Sequence, residues 1–438
     1  MRLRRYELKG YKAFASQLHP LEIAPITIVI GHNNSGKSAL VRAPVLIADS
    51  LKDDSQMLSL NTRNLDFGQS YSDIFHRGGG DEPVPTITFV IDVDVESHGL
   101  RLETDIFLDY KPVKHQTTPV IRRWTLRDIA SIPNPNGGLP GLPIDIVPLS
   151  SGEKIITVAG ESFSQNISWN RLLPLPAWLL SRLTEIKGGS ETFSLLMDLK
   201  RLGSSIHHLG PFRAVPARQY EVQDVEPLME GDGKGAVELL AWDRRRGGTL
   251  LDDVSRWFKL ERNFGFDLRL DGSSERAGMS SLSLVGDAGV AVNLSDAGSG
   301  IAQVLPLVVR RFQLEDPRWS DSLPTLQIIE QPELHLHPAA CASLGDLFVD
   351  TALKGSMDIL AETHSENLVL RIRRRIAEGQ ISPDKVAIYW VENEGGTAAS
   401  FKRLAIEEDG WIEDWPDGVF TEDAEESRAL ARAMRGRS

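Results

Sequence analysis

The chain has a single cysteine, Cys341, among its 438 residues, so no disulfide can close within it and the fold must rest on packing. One thiol suits a reducing compartment, and the opening residues lack the apolar core and cleavage site of a secretory leader. A cytoplasmic location is the expectation. Long hydrophobic runs are also missing. The richest stretch, "LLPLPAWLL" from Leu172, is cut by prolines and falls far short of the ~20 residues of a membrane helix, so no membrane partner is expected. There is no excess of positive charge either. The formal net charge of −13 excludes a surface that is basic throughout, so any nucleic-acid contact must come from a local patch or a partner. Local clusters exist at Arg2 to Arg5, Arg244 to Arg246 and Arg371 to Arg375, and each also reads as a solvated helix or strand face.

What is present is ordinary globular composition, 41% hydrophobic and 25% charged, with length for two or three lobes. "RLRRYELKGYKAF", "LEI" and "ITIVI" at the start read as strand, turn and strand. The apolar spacing of Leu40, Val41, Val45 and Leu46 predicts a helix, which Pro44 is expected to kink. "TITFVIDVDV" from Thr86, "LRLETDIFLDY" from Leu100 and "KIITVAG" from Lys154 predict a β-rich sublobe, with Pro133 to Pro143 as a loop on it. From about Asn170 the pattern turns helical in "RLLPLPAWLLSRLTEI", "ETFSLLMDLKRLGSSIHHL", "GAVELLAWDRR" and "LDDVSRWFKLERNF". Strands return in "FDLRL", "SLSLV" and "VAVNL". The last residues, from Phe420, read as a mostly exposed helix.

"GHNNSGKS" matches G-x-x-x-x-G-K-[ST] and lies between a strand and a helix, the context in which that pattern binds nucleotide phosphates. The glycines let successive N–H groups turn inward around phosphate oxygens, and the helix start adds the positive end of its dipole. The candidate cradle is Gly31, Asn33, Asn34, Ser35, Gly36, Lys37, Ser38 and Ala39. Lys37 is placed to reach the β- and γ-phosphates of ATP, and Ser38 to give its hydroxyl oxygen to Mg2+.

Such a pocket needs a carboxylate at the end of a neighbouring strand. "LPTLQIIEQPELHLHP" supplies Glu330, after a strand of Leu326, Ile328 and Ile329. His335 and His337 invite a zinc reading. At i and i+2, however, they point to opposite sides of a strand and are not neighbours on a helix, so they are poor ligands for one ion. They are expected to line a loop facing a second subunit.

With these motifs at both ends, the chain resembles the RecF, SMC and OLD-like branch of ABC-type AAA ATPases, in the small bacterial form without a fused Toprim nuclease. The resemblance implies an α/β fold, a P-loop NTPase of ABC type with an antiparallel β sublobe and an inserted helical lobe. The expected divisions are 1–165, the N-terminal ATPase lobe; 166–290, the helical insert; and 291–438, the C-terminal ATPase lobe. It implies that Ser295, Gly298 and Gly300, in "NLSDAGSGIAQVLPLVV", form the signature that meets the γ-phosphate held by a second copy. "LSSGEK" from Leu149 is closer in letters but precedes a strand, and is read as a turn. His364, in "DILAETHSENLVLRI", resembles the switch histidine, with Ser365 capping the next helix. Gln69 is a candidate metal-linked glutamine beside Ser38 and Glu330. Arg213, in "HHLGPFRAVPARQY", is a candidate anion contact.

The chain departs from the family where the residue after the metal acid is usually glutamate and here is Gln331. Gln331 can orient water by hydrogen bonding, Glu333 can take the base role, or hydrolysis is very slow. Slow but real turnover is the preferred expectation. A two-fold dimer with ATP at the interface follows from the split site. Its output is expected to be a nucleic-acid-related switch, such as antiphage defence with a partner nuclease, or a recombination or repair clamp on DNA. A non-DNA scaffold that recruits a protein effector is the alternative. "IYWVENEGG", with Glu392 and Glu394, resembles the start of a Toprim domain, but no paired strand-end aspartates follow, so no intrinsic nuclease is expected.

Overall fold

The computed structural model describes residues 2–15, 20–53, 57–62, 65–76, 86–95, 98–111, 116–128, 144–148, 154–158, 161–165, 171–173, 189–260, 264–272, 278–313, 316–319, 326–355, 357–393 and 398–416. The loop at 133–143, "LSSGEK" up to Glu153, most of "RLLPLPAWLLSRLTEI", Glu394 and the expected C-terminal helix lie outside them.

A six-stranded sheet organises the fold, in the order Ile206–Leu209, Leu326–Glu330, Asp358–Glu362, Ile26–Gly31, Val386–Glu392 and Ser400–Leu404. The first five run parallel and the last is antiparallel. The strands of Glu330 and Glu362 are buried throughout, as expected when both faces of a parallel sheet are covered. Alternation divides them between two cores. Ile26, Ile28, Ile30, Ile329, Ile359, Ile388 and Trp390 face one core; Val29, Ile328, Leu360, Tyr389 and Val391 face the other.

The second core also takes in the helix Lys37–Lys52, the helix Gly189–Ser205 and an eight-stranded antiparallel sheet. That sheet is ordered Glu161–Gln165, Lys154–Val158, Ile144–Pro148, Gln116–Asp128, His98–Lys111, Thr86–Val95, Arg2–Lys9 and Leu21–Glu22. It is the β sublobe the alternating pattern called for. The first core is covered by the helices Ala236–Arg245, Leu250–Lys259, Ser299–Gln313, Pro338–Lys354 and Glu366–Ala377. Among the described residues no helix is long and apolar enough to cross a membrane.

Pro44 lies inside the helix Lys37–Lys52, which continues past it. A mid-helix proline leaves the carbonyl four residues earlier without its amide partner, and here the Tyr6 hydroxyl donates to that carbonyl, Leu40 O, at 2.8 Å. The stretch "SSIHHL" is not wholly helical. Its Ile206–Leu209 segment forms a strand parallel to Leu326–Ile329, with Ile206 in one core and Leu209 in the other. Between Tyr220 and Asn293 there is also a small antiparallel sheet, where Met279–Val285 pairs with Tyr220–Glu221, Asp267–Gly272 and Ala291–Asn293.

Candidate functional site

All five parallel strands end on one edge of the sheet, and the candidate residues leave from it. Gly31 closes its strand where a Cβ would lie 2.2 Å from the Val391 carbonyl oxygen, so only glycine fits. Asn34 and Gly36 adopt positive φ of 62° and 102°, turning the loop into the helix. Gly36 is the N-cap, with no side-chain cap and no acid in the first turn. The first amides of the helix therefore keep the uncapped, positive character that suits phosphate. The buried Ser35 hydroxyl has no partner. Lys37 is folded back on its own loop, donating to Gly31 O at 3.0 Å and His32 O at 2.6 Å. Burial lowers its pKa, with Glu362 opposing.

Two carboxylates stand side by side at the strand ends, since Glu330 is the register partner of Glu362. Glu330 is 2% exposed. It accepts from Arg42 Nε at 2.7 Å, Arg42 Nη2 at 2.6 Å and His208 Nε2 at 2.6 Å. Burial pushes its pKa up, but His208 and Arg42 outweigh burial and hold it below the ordinary value. Burial lowers the His208 pKa, with the Glu330 hydrogen bond and charge opposing. Glu362 accepts from Ser38 Oγ at 3.1 Å. Burial raises its pKa, against the Ser38 hydrogen bond and with the neighbouring Glu330 charge adding to the rise.

The residues that follow the two strands close over the same edge. Gln331 has a φ of 43°, a conformation costing ~1–3 kcal/mol in a non-glycine residue unless its surroundings hold it. Its N–H donates to Glu362 O at 2.8 Å, and Gln303 Nε2 donates to its carbonyl at 3.2 Å. Glu333 accepts from the backbone N–H of His364, while its Oε2 is buried without a partner. Burial raises the Glu333 pKa. Partial desolvation and the charge of Lys37 lower the pKa of His364, whose ring is exposed. Ser365 caps the helix Glu366–Ala377 by accepting from Leu368 N at 3.2 Å.

The structure thus gathers Lys37, Ser38, Glu330, Gln331, Glu333 and His364 at one edge. Ser295, Gly298 and Gly300 form a separate cluster. Ser295 N donates to Asn293 Oδ1, Arg218 makes a two-pronged pair with Asp296, and the helix of Gly300 starts at Ser299. Gln303 on that helix donates to Pro211 O and Gln331 O, each at 3.2 Å, which ties the cluster to the loop after Glu330. Gln69 is exposed on the turn before Tyr71–Asp73. His335 and His337 do not lie in a strand. Both are exposed, and His337 caps the helix Pro338–Lys354 through Nδ1, which accepts from Ala339 N at 3.3 Å. Glu392 is held by Trp390 Nε1 and Ser400 Oγ, each at 3.2 Å. None of the three nitrogens of the Arg213 guanidinium has a hydrogen-bond partner.

Sequence reasoning missed Arg42, His208, Gln303 and Glu362. Arg42 had a visible signal, standing four residues after Ser38 and so on the same helix face. Glu362 closes the strand before His364 just as Glu330 closes its own. Among the described residues no group of three or more His, Cys, Asp or Glu could hold a metal ion. Mg2+ needs no such group when phosphates and water supply most of its ligands, and Ser38 beside the strand-end acids fits that mode.

Two family models match parts of the chain: "AAA ATPase domain" over residues 251–369 and "AAA domain, putative AbiEii toxin, Type IV TA system" over residues 26–150. A family of proteins of unknown function matches residues 381–430. No curated protein is similar enough to count as a relative. Among solved structures, an SMC head bound to the C-winged helix domain of ScpA is 13% identical with a TM-score of 0.49, over 93% of this chain and 99% of that one. The SMC head domain from Thermotoga maritima is 12% identical with a TM-score of 0.44, over 93% and 100%. The Smc head from Pyrococcus furiosus, bound to the C-terminal domain of ScpA, is 10% identical with a TM-score of 0.44, over 99% of each. Likenesses this weak carry no argument. The phosphate-loop sequence, the parallel sheet and the two partial AAA matches make the chain similar, over those segments, to AAA-type ATPases. Its fold is α/β, with the phosphate-loop sequence at the end of a central strand of a mainly parallel six-stranded sheet.

Proposed function

We propose that the protein is a slow, Mg2+-dependent ATPase that dimerises on ATP and acts as a cytoplasmic switch in a nucleic-acid-related process, such as antiphage defence with a partner nuclease. One observation carries the nucleotide part. The uncapped helix start after Gly36 has Lys37 folded over the loop and Ser38 on a strand-end carboxylate, which supplies amides, a cation and a metal-ready hydroxyl in one place. Lys37 leaves the Gly31 and His32 carbonyls for the β- and γ-phosphates, with Gly31, Asn33, Asn34, Ser35, Gly36 and Ala39 lining the cradle. Mg2+ neutralises phosphate charge beside Ser38 and the pair Glu330 and Glu362, with Gln69 as a further candidate. Gln331, held in its constrained conformation, orients the attacking water. Glu333 is placed to take a proton, since burial raises its pKa towards neutrality, and His364 meets the γ-phosphate.

The dimer reading draws support from the signature cluster. Gly298 and Ser299 are exposed at a helix start, open to a phosphate that a second copy brings, with Ser295 and Gly300 beside them. The defence reading draws support from the toxin-related description of the family matched at residues 26–150. A second reading, a scaffold that recruits a protein effector without DNA, is favoured by the arginine clusters. Arg2 pairs with Asp358, Arg244 with Asp252, and Arg371 and Arg375 with Asp346, so their charge is largely spent within the chain. ATP turnover tests the core of the proposal. Lys37→Ala should abolish ATP binding and turnover, and Gln331→Glu should speed turnover by roughly tenfold or more by supplying a base. Normal ATP binding by Lys37→Ala would sink the nucleotide reading. An unchanged rate in Gln331→Glu, with loss of turnover in Glu333→Gln, would move the water-handling role to Glu333.

A further inference from the structure

The two strand-end carboxylates are not equivalent. Both oxygens of Glu330 are engaged, Oε1 by Arg42 Nε and His208 Nε2, and Oε2 by Arg42 Nη2. Glu362 is equally enclosed at 2% exposed, yet only its Oε1 has a partner, the Ser38 hydroxyl at 3.1 Å. Its Oε2 is buried with none among the described residues. An enclosed carboxylate oxygen without a partner is expensive and calls for an explanation. A bound cation supplies one.

We infer that Glu362, together with Ser38, is the protein carboxylate that contacts Mg2+ in the nucleotide complex, while Glu330 holds Arg42 and His208. This rests on the nucleotide reading above and goes further by choosing between its two acids. The topology agrees, because the Glu362 strand lies directly beside the phosphate-loop strand, with Glu362 opposite Val29, and the Glu330 strand is one place further out. Ser38 Oγ holds Glu362 Oε1 at 3.1 Å, which leaves Oε2 as the oxygen open to a metal beside that hydroxyl. Gln331 is fixed to the same strand end by its N–H on Glu362 O, so the water-orienting residue and the metal carboxylate share one support.

The test measures affinity rather than turnover. The affinity of a non-hydrolysable ATP analogue is titrated in EDTA and in Mg2+, and Mn2+ with the analogue is followed by electron paramagnetic resonance, for the full chain and its Glu362→Gln and Glu330→Gln variants. Glu362→Gln should keep its EDTA affinity while losing roughly tenfold or more of the affinity gained from metal, and its bound Mn2+ signal should fall with it. A full metal gain in Glu362→Gln overturns the inference, as does a gain lost in Glu330→Gln alone. Should Glu362→Gln not fold, Glu362→Asp decides, because losing one methylene withdraws the oxygen from Ser38; an unchanged metal gain there overturns it too. Absence of binding in EDTA and in Mg2+ by the unmodified chain would instead remove the nucleotide reading on which the inference stands.

Discussion

Arg42 shows how a charge can be buried at a functional edge without harm. Its two-pronged hydrogen bonds to Glu330, with His208 on the same carboxylate, keep an enclosed anion solvated by protein dipoles. Removing one partner of such a pair leaves the other uncompensated. Arg42→Ala is therefore expected to lower stability by about 3 kcal/mol in denaturant unfolding at neutral pH, with Glu330→Gln added to it recovering part of the loss. Because Glu330 has a pKa held below its ordinary 4.5, its stabilisation is present above that value and is lost as pH falls through the lowered pKa. The gap between Arg42→Ala and the unmodified chain should close over that acid range. At this scale the phosphate loop and the strand-closing Glu330 were legible, since motif and local order announce them. His208 was not, and Arg42 showed only its place on the helix face of Ser38, because the Glu330 they share comes from a distant part of the sequence.

The helix after the phosphate loop carries a lesson about elements. Pro44 was expected to kink it, and local propensity alone justifies that. The helix continues past the proline, and Tyr6, on a strand of the antiparallel sheet, donates its hydroxyl to the stranded Leu40 carbonyl. Tyr6→Phe keeps the ring but leaves that carbonyl buried and unpaired, and should cost about 1–3 kcal/mol in thermal unfolding. A variant as stable as the parent would show that water or a bend in the helix satisfies the carbonyl instead. Three of the parallel strands, Ile26–Gly31, Leu326–Glu330 and Asp358–Glu362, were read as short apolar runs before polar clusters. Ile206–Leu209 was not, since four residues directly after a helix give no periodicity of their own, and their strand state is decided by pairing with Leu326–Ile329.

For the whole molecule, the central question is what ATP changes. A signature cluster set apart from the phosphate loop, with its helix start exposed, fits a site completed by a second copy. The expected outcome is a mass in solution that doubles with a non-hydrolysable ATP analogue and stays monomeric with Lys37→Ala, measured by light scattering. Titrating salt against DNA binding in the same samples separates the two functional readings. A steep slope seen only with nucleotide supports the DNA-linked switch; a flat response, given how many clustered arginines already pair within the chain, supports the scaffold that recruits a protein.

Sequence alone determined where the phosphate-loop motif falls and which strands lead to its edge, because the glycine loop, the apolar runs and the acids that close them are local patterns with local physical causes. Tertiary structure alone decided how the two acids divide their work. Glu330 and Glu362 end similar strands, and only the sheet order, which puts Glu362 beside Ser38 and gives Glu330 to Arg42 and His208, distinguishes them, since a carboxylate's role is set by the partners that reach it.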